Sequence, residues 1–298
     1  MLIGIIANIT KKNVFDVVQS FLIKLKKNKI DYLLTKSIFE DNEKLKLGSG
    51  GNFIINDQEI YEKSDVIISI GGDGTMLATA YNAQFYDKPV LGINLGKLGF
   101  LAEANIDQID KVIDDLRNGN YKIEERMLIT GEIAGHKSEK FYSVNDIVID
   151  KGGWPKMIEL TIRVDNEFVT TLSADGLIVA TPTGSTGYSI SVGGPIVSPK
   201  TDVITLSPIS PHSLTVRPLV LPGTQEIIIK ADSLHNAIQV NCDGQRSYSF
   251  PPPMEIKIKK NDKPLKLIHT SLTTYFETLR NKLMWGIDLR IKKDGKEE

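Results

Sequence analysis

Asp65-Val66-Ile67-Ile68-Ser69-Ile70-Gly71-Gly72-Asp73-Gly74-Thr75 runs an apolar strand pattern straight into a glycine turn. Residues 76–80 after it suit a helix, so the stretch reads strand, turn, helix. Such a junction aims backbone N–H groups at one point and adds the positive end of a helix dipole, which favours phosphate. The turn also carries a carboxylate, which phosphate repels. An acid in that place implies either a metal ion that offsets the charge or a substrate hydroxyl that the acid accepts from. Both point toward phosphoryl transfer. A plain helix start uses the same residues, since Asp is a favoured N-cap and Gly an ordinary turn residue, so the rest of the chain must decide.

Working outward, residues 3–7 form a first apolar strand. Val14, Val17, Val18, Phe21, Leu22 and Leu25 share one helical face, and residues 31–34 form a second strand. Residues 48–52 (Gly-Ser-Gly-Gly-Asn) read as loop, and residues 89–94 as a further strand leading into Asn94-Leu95-Gly96-Lys97-Leu98-Gly99-Phe100. Strands alternating with helices predict a parallel sheet covered on both faces, with ligands at the carboxyl ends of its strands. Residues 106–116 read as one more helix, stopped by Gly119. From there the period changes to two, in residues 160–164, 226–229, 238–242, 255–259 and 265–268. Tyr275, Phe276, Leu279 and Leu283 then share a helical stripe that suits packing back on the first domain. The expected architecture is an α/β N-terminal domain with a parallel sheet, an all-β C-terminal domain, and a C-terminal helix returning to the first. The expected boundaries are 1–100 plus about 270–298 for the former and 101–269 for the latter. The charged tail 292–298 is expected to fray.

Composition narrows the function classes. Lys+Arg (36) nearly balances Asp+Glu (37) in 298 residues, so no basic face argues for nucleic acid. The single cysteine, Cys242, cannot make an internal disulfide and reads as a small core residue. No segment approaches the ~20 apolar residues of a membrane helix, and the apolar start lacks a preceding basic segment. The expectation is a cytoplasmic protein. His136, His212, His235 and His269 are dispersed and read as non-ligands.

A second constellation lies at residues 175–195, where an apolar strand (177–180) opens into Thr181-Pro182-Thr183-Gly184-Ser185-Thr186-Gly187-Tyr188-Ser189-Ile190-Ser191. Glycines let a ligand approach the backbone, and the hydroxyls suit ribose, phosphate and amide groups. Tyr188 can stack on a base. Asn145-Asp146 interrupts apolar sequence, as a turn or strand edge does by itself; beside a nucleotide the pair suits an adenine edge and a ribose hydroxyl. Asn241-Cys242-Asp243-Gly244-Gln245 reads as a hairpin turn.

In this order, Gly71 to Thr75, Asn94 to Leu101, Asn145-Asp146, Asp175-Gly176 with Thr181 to Pro195, and Asp243-Gly244-Gln245 closely resemble the NAD kinase family. The resemblance covers most of the chain, from Ile3 to about Arg290. It implies the two-domain architecture above and transfer of the terminal phosphoryl group of ATP to the 2′-hydroxyl of the adenosine ribose of NAD, giving NADP. It implies Mg²⁺ or another divalent cation, and a homo-oligomer, dimer or homotetramer, in which a neighbouring subunit can complete the site. Asp73 is then the general base for the 2′-hydroxyl, and Gly74 contacts the same nucleotide. Asn145 and Asp146 bind adenine and ribose, and Asp175 the nicotinamide side. Thr186, Gly187, Tyr188, Ser189, Ile190 and Ser191 line the NAD pocket, and Gln245 touches the ligand from a β-domain loop.

The sequence departs from the family at Ser173, where many relatives carry a basic residue, at Asp146 in place of Glu, and at Gly187 in place of Ala. Lys156 is a further basic candidate. Other readings share parts of the pattern: a diacylglycerol-type lipid kinase has the same glycine turn, and a non-catalytic nucleotide sensor would keep both loops. A dehydrogenase would bind NAD too, but Ala7-Asn8-Ile9-Thr10 lacks G-x-G-x-x-G. No Walker A motif (G-x-x-x-x-G-K-[ST]) occurs, so phosphate charge must be met by backbone N–H groups and the metal.

Overall fold

The computed structural model describes residues 1–40, 54–96, 99–102, 104–135, 140–270, 272 and 274–286. The glycine-rich loop 48–52, Lys97 and Leu98, His136, and the tail lie outside them. The chain divides into two compact units: Met1–Thr79 with Lys88–Glu124 and Leu267–Glu298, and Ala80–Asp87 with Glu125–Lys266.

The first unit is built on a parallel sheet. Strands β1 (Leu2–Ala7), β2 (Asp31–Thr35), β3 (Ile54–Ile55), β4 (Val66–Gly71) and β5 (Val90–Asn94) lie in the order 3-2-1-4-5. Their connections carry helices α1 (Val14–Lys27), α2 (Lys36–Glu40), α3 (Asp57–Lys63) and α4 (Asp73–Ala83). Every residue of β4 and β5 is buried, which is why these strands read as unbroken apolar runs rather than alternations. The six apolar residues expected on one face of α1 are the six it buries. Residues 106–108 form a tight helical turn before α5 (Ile109–Asn118), which Gly119 closes at φ 70°.

The run Leu265–His269, read in sequence among the β-rich segments, instead pairs parallel with β5, Leu267 opposite Val90. Leu265, Leu267 and Ile268 are all buried, a pattern that an interior strand of a parallel sheet requires. In this strand order the direction of crossover reverses between β1 and β4, and a crevice opens at their carboxyl ends. The amide of Asn8 donates to Ile70 O (3.0 Å) and that of Leu95 to Gly71 O (2.8 Å), so the ends of β1, β4 and β5 reach one level. Asp73 follows β4 at that level.

The second unit is a sandwich of two six-stranded sheets whose registers are antiparallel. One has the order Leu219–Pro222, Val203–Ile209, Gly176–Ala180, Asp146–Asp150, Ile238–Cys242, Arg246–Phe250. The other has the order Glu167–Ala174, Ile158–Val164, Ile227–Asp232, Met254–Lys260, Ile129–Ile133, Lys140–Ser143. Alternate residues supply a shared core: Ile147, Ile149, Leu177 and Val179 from one sheet meet Ile129, Leu160, Ile229 and Ile256 from the other. The intervening Val148, Ile178 and Ala180 face the opposite way and form a small cluster of their own with Val192 and Ile209. The hydroxyl-rich segment therefore lies against the outer face of the sandwich. Burial, with a smaller repulsion from nearby acids, pushes the Cys242 thiol up to about 11, so it stays protonated in the core.

Candidate active site

In the first unit the chemistry centres on Asp73, the first residue of α4. The amides of Phe100 and Leu101 donate to its Oδ2 and Oδ1 at 3.3 and 3.4 Å, and Lys282 Nζ donates to Oδ2 at 3.0 Å. These contacts explain why the chain needs glycine at 99: a Cβ there would collide with the Asp73 carboxylate. A carboxylate has about four acceptor sites. Three donors among the described residues leave room for one more, and 34% of the side chain is open to solvent. Gly74, the next residue of the helix, is exposed. A proton-accepting oxygen, held at a strand end beside a helix N-terminus, can receive a hydroxyl proton where phosphate charge is also favoured.

The donor set does not fit a protein-built metal centre. Among the described residues no three His, Cys, Asp or Glu side chains gather for an ion, and the acceptor sites of Asp73 are largely taken by N–H donors. Mg²⁺ ordinarily keeps waters and is held through substrate phosphates with one or two carboxylates.

In the second unit, Asn145 and Asp146 open the strand Asp146–Asp150, and the 181–194 segment folds over them. Thr181 Oγ1 donates to Val144 O (2.6 Å), its amide to Asn145 O (2.8 Å), and Gly184 N donates back to Thr181 Oγ1 (3.1 Å). Gly184 lies so close that a Cβ would strike Asn145 O, and Gly187 faces the Asn145 and Asp146 side chains. Ser189 is fully buried with its hydroxyl on Ser207 Oγ (2.9 Å), which seats the segment on the sheet. Tyr188 and Ser191 are exposed, and Thr186, Gly187 and Ile190 partly so. The structure thus brings Asn145, Asp146 and Thr186 to Ser191 together around one loop.

Asp243 organises that loop. It begins a turn with Gly244, both at positive φ, and the amide of Gln245 closes the turn on Cys242 O (3.0 Å). The Asp243 carboxylate accepts from the amides of Asn145 (2.7 Å), Val144 (3.2 Å) and Asp146 (3.3 Å) and pairs with Arg246 Nη2 (2.9 Å). Arg246 also donates to Tyr142 O and lies 3.7 Å from the centroid of the Tyr81 ring. Gln245 is exposed beside this network. Burial first, and the neighbouring Asp243 charge second, push the Asp146 carboxyl up to about 7. Asp243 is also raised by burial, against the pull of its amide donors and Arg246.

Asp175 stands apart. Asp150 pairs with Gly176 and Asp146 with Ala180, so Asp175 lies at the opposite end of the strand from Thr181, about 20 Å away at ordinary strand rise. Its carboxylate pairs with Lys151 Nζ at 2.6 Å. Three residues that sequence reading missed are central to these sites. In sequence Asp243 reads as a turn residue within the Asp243-Gly244-Gln245 motif, with no contact of its own, and Arg246 carries no signal. Lys282 had one: it falls on the helical face of Tyr275 and Leu279, seven and three residues before it, where a cation is out of place unless it has a partner.

Comparison with known proteins follows these two regions. Residues 3–121 match the ATP-NAD kinase N-terminal domain and residues 144–270 the ATP-NAD kinase C-terminal domain. The chain is 38% identical over 287 residues to a protein described as NAD kinase from Chlorobium phaeovibrioides, covering 96% of this chain and 99% of that one. A Pseudomonas putida NAD kinase is 38% identical over 295 residues, covering 98% of each. Among solved structures, yeast NADH kinase complexed with NADH superposes with TM-score 0.88 at 27% identity over 98% of this chain and 89% of that one. An NAD kinase from Archaeoglobus fulgidus in complex with ATP superposes at 0.73 with 26% identity, over 95% and 99%.

Proposed function

The chain belongs to the NAD kinase family, and we propose on that premise that it moves the terminal phosphoryl group of ATP to the 2′-hydroxyl of the adenosine ribose of NAD, giving NADP. It is a phosphotransferase; the lipid-kinase, dehydrogenase and sensor readings find no support among its relatives. The observation that carries the assignment of roles is the Asp73 carboxylate, fixed by donors on both oxygens yet one-third open.

In the proposed step the ribose oxygen attacks the terminal phosphorus. The new O–P bond forms, the bond from that phosphorus to the bridging oxygen breaks, ADP leaves, and the hydroxyl proton passes to Asp73. Base catalysis of this kind contributes roughly 10²–10⁴ in rate, with positioning and electrostatics supplying the rest. Gly74, at the start of α4, meets the same nucleotide through its backbone. Asn145 presents an amide to the adenine edge. Asp146, whose burial favours the protonated form near neutrality, donates to or accepts from the ribose. Thr186, Gly187, Ile190 and Ser191 line the dinucleotide with Tyr188 against a ring, Ser189 anchors them, and Gln245 reaches the ligand from its turn. Mg²⁺ or another divalent cation travels on the donor's phosphates.

Asp175 is assigned to the nicotinamide side. Its distance from Thr181 along the strand fits a contribution to the dinucleotide of a second copy, in keeping with a homodimer or homotetramer. No described helix is long and apolar enough to cross a membrane, and a cytoplasmic location is part of this reading. The direct test is incubation with ATP, Mg²⁺ and NAD. NADP forms if the reading holds, and diacylglycerol offered in place of NAD yields no phospholipid. Phosphorylation of the lipid without NADP formation would overturn it.

A further inference from the structure

Lys282 is the one ionic partner of Asp73 among the described residues, and neither motif nor composition singles it out. Its ammonium lies 3.0 Å from Asp73 Oδ2 and 5.4 Å from the centroid of the Phe100 ring. The helix that carries it, Tyr275–Leu283, is firmly placed. It opens with a reciprocal Thr274–Glu277 cap and buries Thr278 and Leu279. Tyr275 on the same helix packs its ring 6.4 Å from that of Phe100, whose amide is the Oδ2 donor. One helix therefore brings both a ring against the loop that grips the carboxylate and a cation onto the carboxylate itself.

We infer that Lys282 is a positioning residue for the proton acceptor: its fixed ammonium keeps the Asp73 carboxylate aimed while the anionic phosphate chain of a nucleotide donor binds beside it. The inference rests on the reading of Asp73 as the base. A lone carboxylate facing a triphosphate is subject to like-charge repulsion, which turns it away. No Walker lysine exists to relieve this, and among the described residues the charges on the elements that meet Asp73 are few. Helix α4 carries none besides Asp73, with Tyr81 its other titratable group. Residues 99–102 carry none, and the terminal helix offers Glu277, engaged in its cap, Arg280 and Lys282. Among the described residues, Lys282 is the cation that reaches Asp73.

The test compares Lys282→Met, Lys282→Arg and Arg280→Ala with the parent. Lys282→Met is expected to lower kcat at neutral pH by about 10- to 100-fold, as loss of a fixed electrostatic partner does. The loss is expected to fall on kcat, with the KM values for ATP and NAD within about threefold of the parent, because a misaimed acceptor weakens the transition state and not ground-state binding. Lys282→Arg, which keeps the charge, is expected to hold kcat within about tenfold of the parent and well above the Met variant, and Arg280→Ala matches the parent. Since the Lys282 side chain is 31% exposed, the Met variant is expected to fold, and Lys282→Gln serves in its place if it does not. A fall in kcat with both KM values raised to the same degree would mark a mere structural tether and overturn the inference, as would parental or raised kcat in the Met variant, or an Arg variant as slow as Met. Asp73→Asn separates the two readings. If it abolishes turnover while Lys282→Met does not, this inference alone falls; if it turns over like the parent, the base assignment falls as well.

Discussion

Asp73 has two oxygens, three donors and one direction left open, and its environment is set as much by what is missing as by what is present. Gly99 is the missing part. Its backbone is not in the left-handed region, so Gly99→Ala is tolerated by the chain, yet the added Cβ must push the carboxylate off its amide donors. Activity is expected to fall about 10²-fold, the scale of a misplaced reacting group, with the circular-dichroism spectrum and melting temperature near those of the parent. Retention of parental kcat would show that Asp73 need not sit where it does. At this scale the sequence was legible where chemistry is local: strand, glycine and acid follow one another in Gly71-Gly72-Asp73. It was not legible where a partner arrives from 209 residues away, as Lys282 does. Only its position on an apolar stripe pointed to it.

Among the elements, the Asp243 turn shows how one motif has two duties. Asp-Gly announces a hairpin, and a hairpin joins Ile238–Cys242 to Arg246–Phe250. The same carboxylate, with almost no exposure, gathers three consecutive amides of the Asn145–Asp146 loop and the Arg246 guanidinium. Asp243→Ala leaves a half-buried cation and three amides short of an acceptor. It is expected to cost about 3–5 kcal/mol in urea unfolding, the range for breaking a buried pair, and to raise the KM for NAD more than that for ATP. An unchanged KM for NAD would show that the loop holds its shape without Asp243. Long-range acceptance of this kind leaves no periodic trace in sequence. Strands were legible where one face is buried, as in Ile158–Val164, whose burial alternates. Leu219–Pro222, an edge strand that is largely exposed, offered no such contrast and was missed. Leu265–His269 was seen as a strand, but no local feature tells a chain which sheet it will join.

For the whole molecule, near-neutral charge and a single buried thiol describe an ordinary globular chain, and the two periods, 3.6 then 2, describe its two kinds of unit. Its pH response is less ordinary. The Asp146 carboxyl is raised to about 7 by burial and the Asp243 charge, so the folded state holds a proton that the unfolded chain releases near 4. The folded state therefore binds more protons over that interval. The stabilisation is complete below about pH 4 and is lost as pH rises through about 7. Asp146 thus contributes a falling slope between those values, which Asp146→Asn is expected to flatten in a melting series across pH. An identical slope in the variant would place the titration elsewhere. The account as a whole depends on Asp73 taking the proton of the 2′-hydroxyl. The measurement closest to that claim is NADP formation by Asp73→Asn at saturating ATP, Mg²⁺ and NAD, with NAD affinity measured on the same sample. The account predicts turnover at least ~10²-fold below the parent, the lower end of base catalysis, with NAD bound as tightly as before. Turnover at the parental rate would contradict it.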